Sequence, residues 1–179
     1  HIVDWRYHGY GMYDTAKFRM NNVELMNNTI NASGYGLYLY DYPPSEFGAE
    51  LYGNASFKMG SILVNENRIT SSNDGLYSSS DGNWPQGWFG YAMHDNASFV
   101  MGNVEFNSNR IDSQGGDGMY WEEIEAFGYD MYNSASVIMG DFLFNDNVIT
   151  CNGSGIYVNK FHNVGSEIHN STSVTVGNV

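Results

Sequence analysis

Five ungapped copies of one block stand along the 179 residues: "GYGMYDTAKFRMNNVELMNNTI" from Gly9, "GAELYGNASFKMGSILVNENRI" from Gly48, "GYAMHDNASFVMGNVEFNSNRI" from Gly90, "GYDMYNSASVIMGDFLFNDNVI" from Gly128, and the shorter "GSEIHNSTSVTVGNV" from Gly165. Their leading glycines lie 39, 42, 38 and 37 residues apart. A fixed period in this range marks a solenoid, a propeller or an array, because one block cannot bury its own apolar face and must stack on the next. The chain reads as a single stacked domain over 1–179. Its repeats cover 9–47, 48–89, 90–127 and 128–164, with a partial one at 165–179 and the tail of a preceding rung at 1–8.

Inside each copy apolar side chains recur every second residue: Phe57 and Met59, then Ile62 and Val64; Phe99 and Met101, then Val104 and Phe106; Val137 and Met139, then Phe142 and Phe144. That is the period of a strand, and the step of three between the pairs marks a corner. Glycine, asparagine and β-branched residues without a 3.6 period argue against helix. Past an asparagine-rich corner come Ile30, Ile69, Ile111 or Ile149, a glycine-rich turn, and a strand opening "GLY", "GLY", "GMY" or "GIY" at Gly36, Gly75, Gly118 and Gly155. Length variation is confined to "LYDYPPSEF", "SSSDGNWPQGWF", "WEEIEAF" and "VNKFHNV", so one corner carries variable loops and the rest stacks in register. Two of these loops hold Pro43, Pro44 and Pro85, outside any central ladder. A propeller repeats at a similar length, but its hairpins call for Asn-Gly or Asp-Gly turns, which are scarce here at matching positions. The expected fold is all-β, a parallel β-helix (β-solenoid). One wide coil per repeat is favoured over two narrow ones, giving a stack about 20 to 25 Å high.

The "N-x-I…G-I-Y" pattern resembles the right-handed parallel β-helix repeats of pectate-lyase-like and nitrous-oxide-accessory-type proteins, over nearly the whole chain. That resemblance implies architecture and a secreted or surface setting. It implies no single activity, since the fold hosts lyases, hydrolases, adhesins and structural proteins.

Twenty acidic residues against seven basic ones give −13, which opposes binding to phosphate backbones or anionic lipid, so nucleic acid is not an expected partner. No apolar run is long enough to span a membrane. The charge serves solubility first; no cofactor is expected, and Ca2+ is the one ion that the acidic excess leaves open. Cys151 is alone, which rules out an internal disulfide, and it aligns with Ala32, Ser71 and Ser113 as a small buried side chain.

Stacking places like residues above one another. Asn28, Asn67, Asn109 and Asn147 are expected to form an asparagine ladder that satisfies a corner. Met20, Met59, Met101 and Met139, then Val176, form an inward column. Tyr13, Tyr52, His94, Tyr132 and His169 are expected to point outward beside inward Met12, Leu51, Met93, Met131 and Ile168, and Tyr38, Tyr77, Tyr120 and Tyr157 form a second aromatic column. With 16% aromatic residues, such columns suit lateral packing against another chain, or the stacking of sugar rings. N-x-S/T sequons at Asn27, Asn31, Asn54, Asn96, Asn152 and Asn170 are glycosylation candidates of a secretory product.

The β-helical lyases that the chain resembles carry an acidic calcium cluster beside a basic residue. The residues available for those parts are Asp112, Asp117, Glu122, Glu123 and Glu125, with Arg68 or Arg110. The two arginines recur with the repeat, which suits scaffold better than a unique site. Facing carboxylates, a phosphate loop, a nucleophile elbow and zinc spacing are not evident, so no catalytic residue is assigned. Neither terminus reads as a polar cap: "HIVDWRYHG" looks like the tail of a repeat and the last block like the head of one. The functional expectation is an extracellular structural protein that joins end to end into a filament, sheath or surface layer, a homopolymer. The alternative is a surface glycan-binding or adhesin module, ahead of a polysaccharide lyase or hydrolase.

Overall fold

Alternating apolar residues call for an extended backbone with one covered face, and here the cover is supplied by the opposite walls of the same coil. The computed structural model describes residues 9–41, 47–80, 89–125, 128–162 and 164–178. The first rung holds β1 (Lys17–Met20), β2 (Val23–Met26), β3 (Thr29–Ala32) and β4 (Leu37–Asp41). The second holds β5 (Ser56–Met59), β6 (Ile62–Asn65), β7 (Arg68–Ser71) and β8 (Leu76–Ser80). The third holds β9 (Ser98–Met101), β10 (Val104–Glu105), β11 (Arg110–Ser113) and β12 (Met119–Glu125). The fourth holds β13 (Ser136–Met139), β14 (Phe142–Leu143), β15 (Val148–Cys151) and β16 (Ile156–His162), and β17 (Ser173–Val176) opens a fifth.

Each strand pairs in parallel with its equivalent one repeat away. The four sheets run β1-β5-β9-β13-β17, β2-β6-β10-β14, β3-β7-β11-β15 and β4-β8-β12-β16. The chain is therefore a parallel β-solenoid with one wide coil per repeat, and no helix occurs among the described residues. Register is strict: Phe18 lies beside Phe57, Phe57 beside Phe99, Phe99 beside Val137 and Val137 beside Val174. A slip of one residue would turn every inward side chain out, and the covered core forbids it.

The corner between β5 and β6 is Gly60–Ser61, where the apolar spacing steps by three. The next corner holds a left-handed residue before the ladder asparagine: Asn27, Glu66, Ser108 and Asp146 have φ of 58, 59, 56 and 55°. Non-glycine residues resist that region, so its recurrence shows the stacked corner dictating local backbone. The leading glycine of each block is left-handed too, with φ of 62 to 69° at Gly9, Gly48, Gly90, Gly128 and Gly165. At Gly48 a Cβ would sit 2.5 Å from Phe99 Cδ2 and 3.0 Å from Phe57 Cβ, so conformation and space both demand glycine.

The interior is largely apolar, with Asn67, Ser71, Ser78, Asn109 and Ser113 the buried polar residues among those described. In the second rung Phe57, Met59, Ile69 and Leu76 are 1, 2, 1 and 1% exposed, and in the third Phe99, Met101, Phe106, Ile111 and Met119 are 0, 3, 1, 1 and 1% exposed. Each such side chain contributes about 1.5–3 kcal/mol relative to exposure. Leu51, Met93 and Met131 point inward and are fully buried. Ile168, expected inward beside them, is 41% exposed, because it lies in the last described rung with a neighbour on one side only, Met131. Cys151 is half-buried rather than buried for the same reason. It stands in register with Ser113, and its thiol donates to the carbonyls of Gly153 and Ser154 at 3.4 and 3.2 Å. Pro43, Pro44 and Pro85, with most of the variable loops, lie outside the described residues.

Candidate functional site: stacked polar and aromatic columns

A corner leaves backbone groups that neither adjoining strand can satisfy, and a column of short polar side chains meets that need rung by rung. Asn28 donates from its backbone N–H and Nδ2 to Oδ1 of Asn67, at 3.0 and 3.1 Å. Asn67 donates in the same way to Asn109 at 3.0 and 3.1 Å, and Asn109 to Asn147 at 2.9 and 3.0 Å. The amides also hold carbonyls of neighbouring strands: Nδ2 of Asn67 reaches Leu25 O at 2.7 Å, that of Asn109 reaches Val64 O at 2.8 Å, and that of Asn147 reaches Phe106 O at 2.6 Å. Asn67 and Asn109 are each 1% exposed. Every polar atom of these two side chains is spent on the scaffold, so these two rungs of the ladder offer a ligand nothing.

Further polar columns stand beyond the asparagine-rich corner that the sequence shows. The backbone N–H of Ser61 donates to Asn22 Oδ1 (2.9 Å), that of Asn103 to Ser61 Oγ (3.0 Å), that of Asp141 to Asn103 Oδ1 (3.0 Å) and that of Asn178 to Asp141 Oδ1 (2.7 Å). Asn65, Asn107 and Asn145 repeat the device, with N–H to Oδ1 distances of 2.8 and 2.9 Å. In the glycine-rich turn Asp117 N–H donates to Asp74 Oδ1 at 2.6 Å, and Ser154 N–H to Asp117 Oδ1 at 2.5 Å. Burial, and then the charge of Asp117, raise the Asp74 carboxyl above its ordinary range against the hydrogen bonds it accepts from the backbone N–H groups of Asp117 and of Asp74 itself.

Tyr13, Tyr52, His94, Tyr132 and His169 form one continuous stack. Successive ring centroids are 5.0, 4.7, 4.9 and 4.7 Å apart and the rings are 5, 6, 5 and 12° from parallel. Tyr38, Tyr77, Tyr120 and Tyr157 form a second, at 5.4, 5.1 and 5.2 Å. Inside the core Phe18, Phe57 and Phe99 form a third, at 5.1 Å per step. In all three, the faces of the inner rings are taken up by neighbouring rungs, and the two outer columns offer their edges along the stack.

Carboxylates act on the phenols of Tyr129, which stacks on Tyr91 outside that column, and of Tyr132 within it. The Tyr129 phenol is pushed up to about 12 by its hydrogen bond to Glu167, then by burial and the charges of Glu167 and Asp130. Tyr132 is raised chiefly by its hydrogen bond to Asp130. Because the Tyr129 value in the fold lies above the ordinary value near 10, this hydrogen bond stabilises the fold fully below that pH, and its contribution is lost as pH rises through about 12. In an ultraviolet titration of tyrosinate, Glu167→Gln should move one late-titrating phenol toward the ordinary range, and an unchanged curve would exclude the bond.

The six sequon asparagines, Asn27, Asn31, Asn54, Asn96, Asn152 and Asn170, are all exposed. Asn54 and Asn96 lie on adjacent rungs, Nδ2 of Asn96 donating to Oδ1 of Asn54 at 3.2 Å. Nδ2 of Asn152 donates to Gln114 O, and that of Asn170 to Asn133 Oδ1 at 3.3 Å.

Of the residues suggested by the lyase resemblance, Arg68 and Arg110 are exposed side by side on β7 and β11. Asp112 shares the outward face of β11 with Arg110, Asp117 is held in the turn ladder, and Glu122 is half-buried on β12. The side chains of Glu123 and Glu125 lie outside the described residues. Among the described residues no three His, Cys, Asp or Glu side chains converge on a point that would hold a metal ion. An open cleft of about 570 Å³ lies at the first corner, lined by Arg19, Asn22, Glu24, Lys58 and Gly60. No described helix is long and apolar enough to cross a membrane. No family model, curated protein or solved structure matches the chain.

Proposed function

We propose that the chain is a structural building block of an extracellular fibre, sheath or surface layer, lengthened by adding the rungs of a second copy to an end face of the stack. One observation carries this reading: every strand pairs in parallel and in register with its equivalent one repeat away, so the stacking that joins the rungs of one copy serves equally to join those of a second. Phe18, Met20, Leu25 and Ile30 are half-buried, whereas their neighbours one rung on, Phe57, Met59, Val64 and Ile69, are 1, 2, 6 and 1% exposed. A neighbour on both sides thus covers the apolar columns, and a sheet edge pairs readily with a further strand. The rung pattern supports grouping the chain with the pectate-lyase-like solenoids of secreted and surface proteins, and the exposure of all six sequons suits a glycosylated product. The glycan-binding alternative gains less, because a sugar ring stacks on an aromatic face, and the inner rings of the outer columns have theirs covered.

The test is electron microscopy and sedimentation of the whole chain across a range of concentrations, beside Leu25→Lys. A lysine turned inward on the first rung places a charge where the next copy would close the core. Filaments from the parent chain and dispersed particles from the variant, with matching circular dichroism, are the expected pair. A parent chain that stays dispersed at every concentration, or a variant that polymerises equally well, would sink the reading.

A further inference from the structure

The geometry points to the Tyr38–Tyr77–Tyr120–Tyr157 column as an oxidative stapling site, where one-electron oxidation by a haem peroxidase with hydrogen peroxide joins tyrosines of neighbouring rungs through a carbon–carbon bond. In-register pairing sets Tyr38 beside Tyr77, Tyr77 beside Tyr120 and Tyr120 beside Tyr157 on parallel strands. The phenols therefore leave the backbone at equivalent points and in the same direction. Ring centroids are 5.4, 5.1 and 5.2 Å apart, with planes 18, 9 and 16° from parallel. Near-parallel stacking brings each carbon ortho to a hydroxyl next to its counterpart one rung away. These carbons lie at the far end of the side chain, and bond formation requires rotation about χ1 and χ2 to bring two of them together. The column is open to an oxidant from outside, with Tyr157 40% exposed and the other three half-buried.

The chemistry balances within the pair and the named oxidant. Each phenol loses one electron and one proton to become a phenoxyl radical. The two radicals couple at their ortho carbons, and each of those carbons then passes its hydrogen to a phenolic oxygen as the rings regain aromaticity. The pair has given up two electrons and two protons in total, and hydrogen peroxide takes them up to become two waters. The other outer column is a built-in contrast: His94 follows Tyr13 and Tyr52, so only one tyrosine pair stands there. The run of four tyrosines allows two staples at once, each closing a loop of one repeat and restricting the unfolded chain as a disulfide does.

The experiment oxidises the whole dilute chain with peroxidase and hydrogen peroxide and maps dityrosine-linked peptides by mass spectrometry after proteolysis. The same is done with the chain denatured in urea before oxidation, and with the folded Tyr77→Phe/Tyr157→Phe variant. Phenylalanine keeps the ring stack, yet no two tyrosines of this column remain on adjacent rungs. Expected are intramolecular links between neighbouring members of the column in the folded parent, their loss in the denatured chain and in the variant, and a raised unfolding midpoint for the linked parent. Links scattered equally over all tyrosines in folded and denatured chains would overturn the assignment. So would coupling only between molecules, or folded parent chain without links in the column.

Discussion

Replacing Asn109 by alanine is expected to cost about 3–5 kcal/mol of unfolding free energy, a large loss for removing one small polar side chain. The side chain accepts from the backbone N–H and Nδ2 of Asn67 and donates to Val64 O and Asn147 Oδ1. Deleting it orphans groups in two rungs, at a place where Asn109 is 1% exposed and water has little entry. Asn109→Asp separates the two halves of the role. A carboxylate keeps the acceptor for Asn67 and loses both donations, and it buries a charge facing Val64 O and Asn147 Oδ1. It should therefore restore little. Urea denaturation followed by circular dichroism reads both variants. An alanine variant within about 1 kcal/mol of the parent would mean that the ladder is decoration rather than a support.

The second large effect is expected at Phe99→Ala, at about 3–5 kcal/mol. Phe99 is 0% exposed, stacks on Phe57 at 5.1 Å and lies 6.0 Å from Phe89, so its loss opens a cavity at mid-stack. Rigid strands on both sides limit collapse into that space. Phe18→Ala removes the same ring from the half-buried first rung and should cost about half as much, since less contact and less burial are lost. Equal losses at the two positions, measured in the same urea series, would contradict the graded burial of the stack.

The path of the chain was legible because its cause is local. Phe57, Met59, Ile62 and Val64 state two strands and the corner between them, and their recurrence one repeat later states how those strands pair. The asparagine ladder could be read because one residue type fills Asn28, Asn67, Asn109 and Asn147. The second ladder hid behind changing letters: Asn22, Ser61, Asn103, Asp141 and Asn178 share only a short side chain with an oxygen acceptor, which is all that the hydrogen bond requires. The aromatic columns were visible as positions, but the covering of their ring faces follows from rotamers that a sequence does not write. Ile168 was placed by period alone, which is blind to the lack of a neighbour on one side. The partner is not written in the repeat, because a solenoid rung reads the same whether its edges meet a sister chain, a sugar or water.

The ladders also have directions, and these are opposed. Along Asn28, Asn67 and Asn109 each rung donates its backbone N–H forward to the next rung's side chain, whereas along Ser61, Asn103 and Asp141 each rung donates its backbone N–H back to the previous rung's side chain. An end face thus carries a fixed pattern of donors and acceptors, and its complement is the opposite face of an identical stack. A copy turned upside down presents the same face instead of its complement, and its strands run against those it meets, so it cannot continue the ladders. Any structure that continues these ladders is therefore a polar one, with two chemically different ends that need not grow at the same rate.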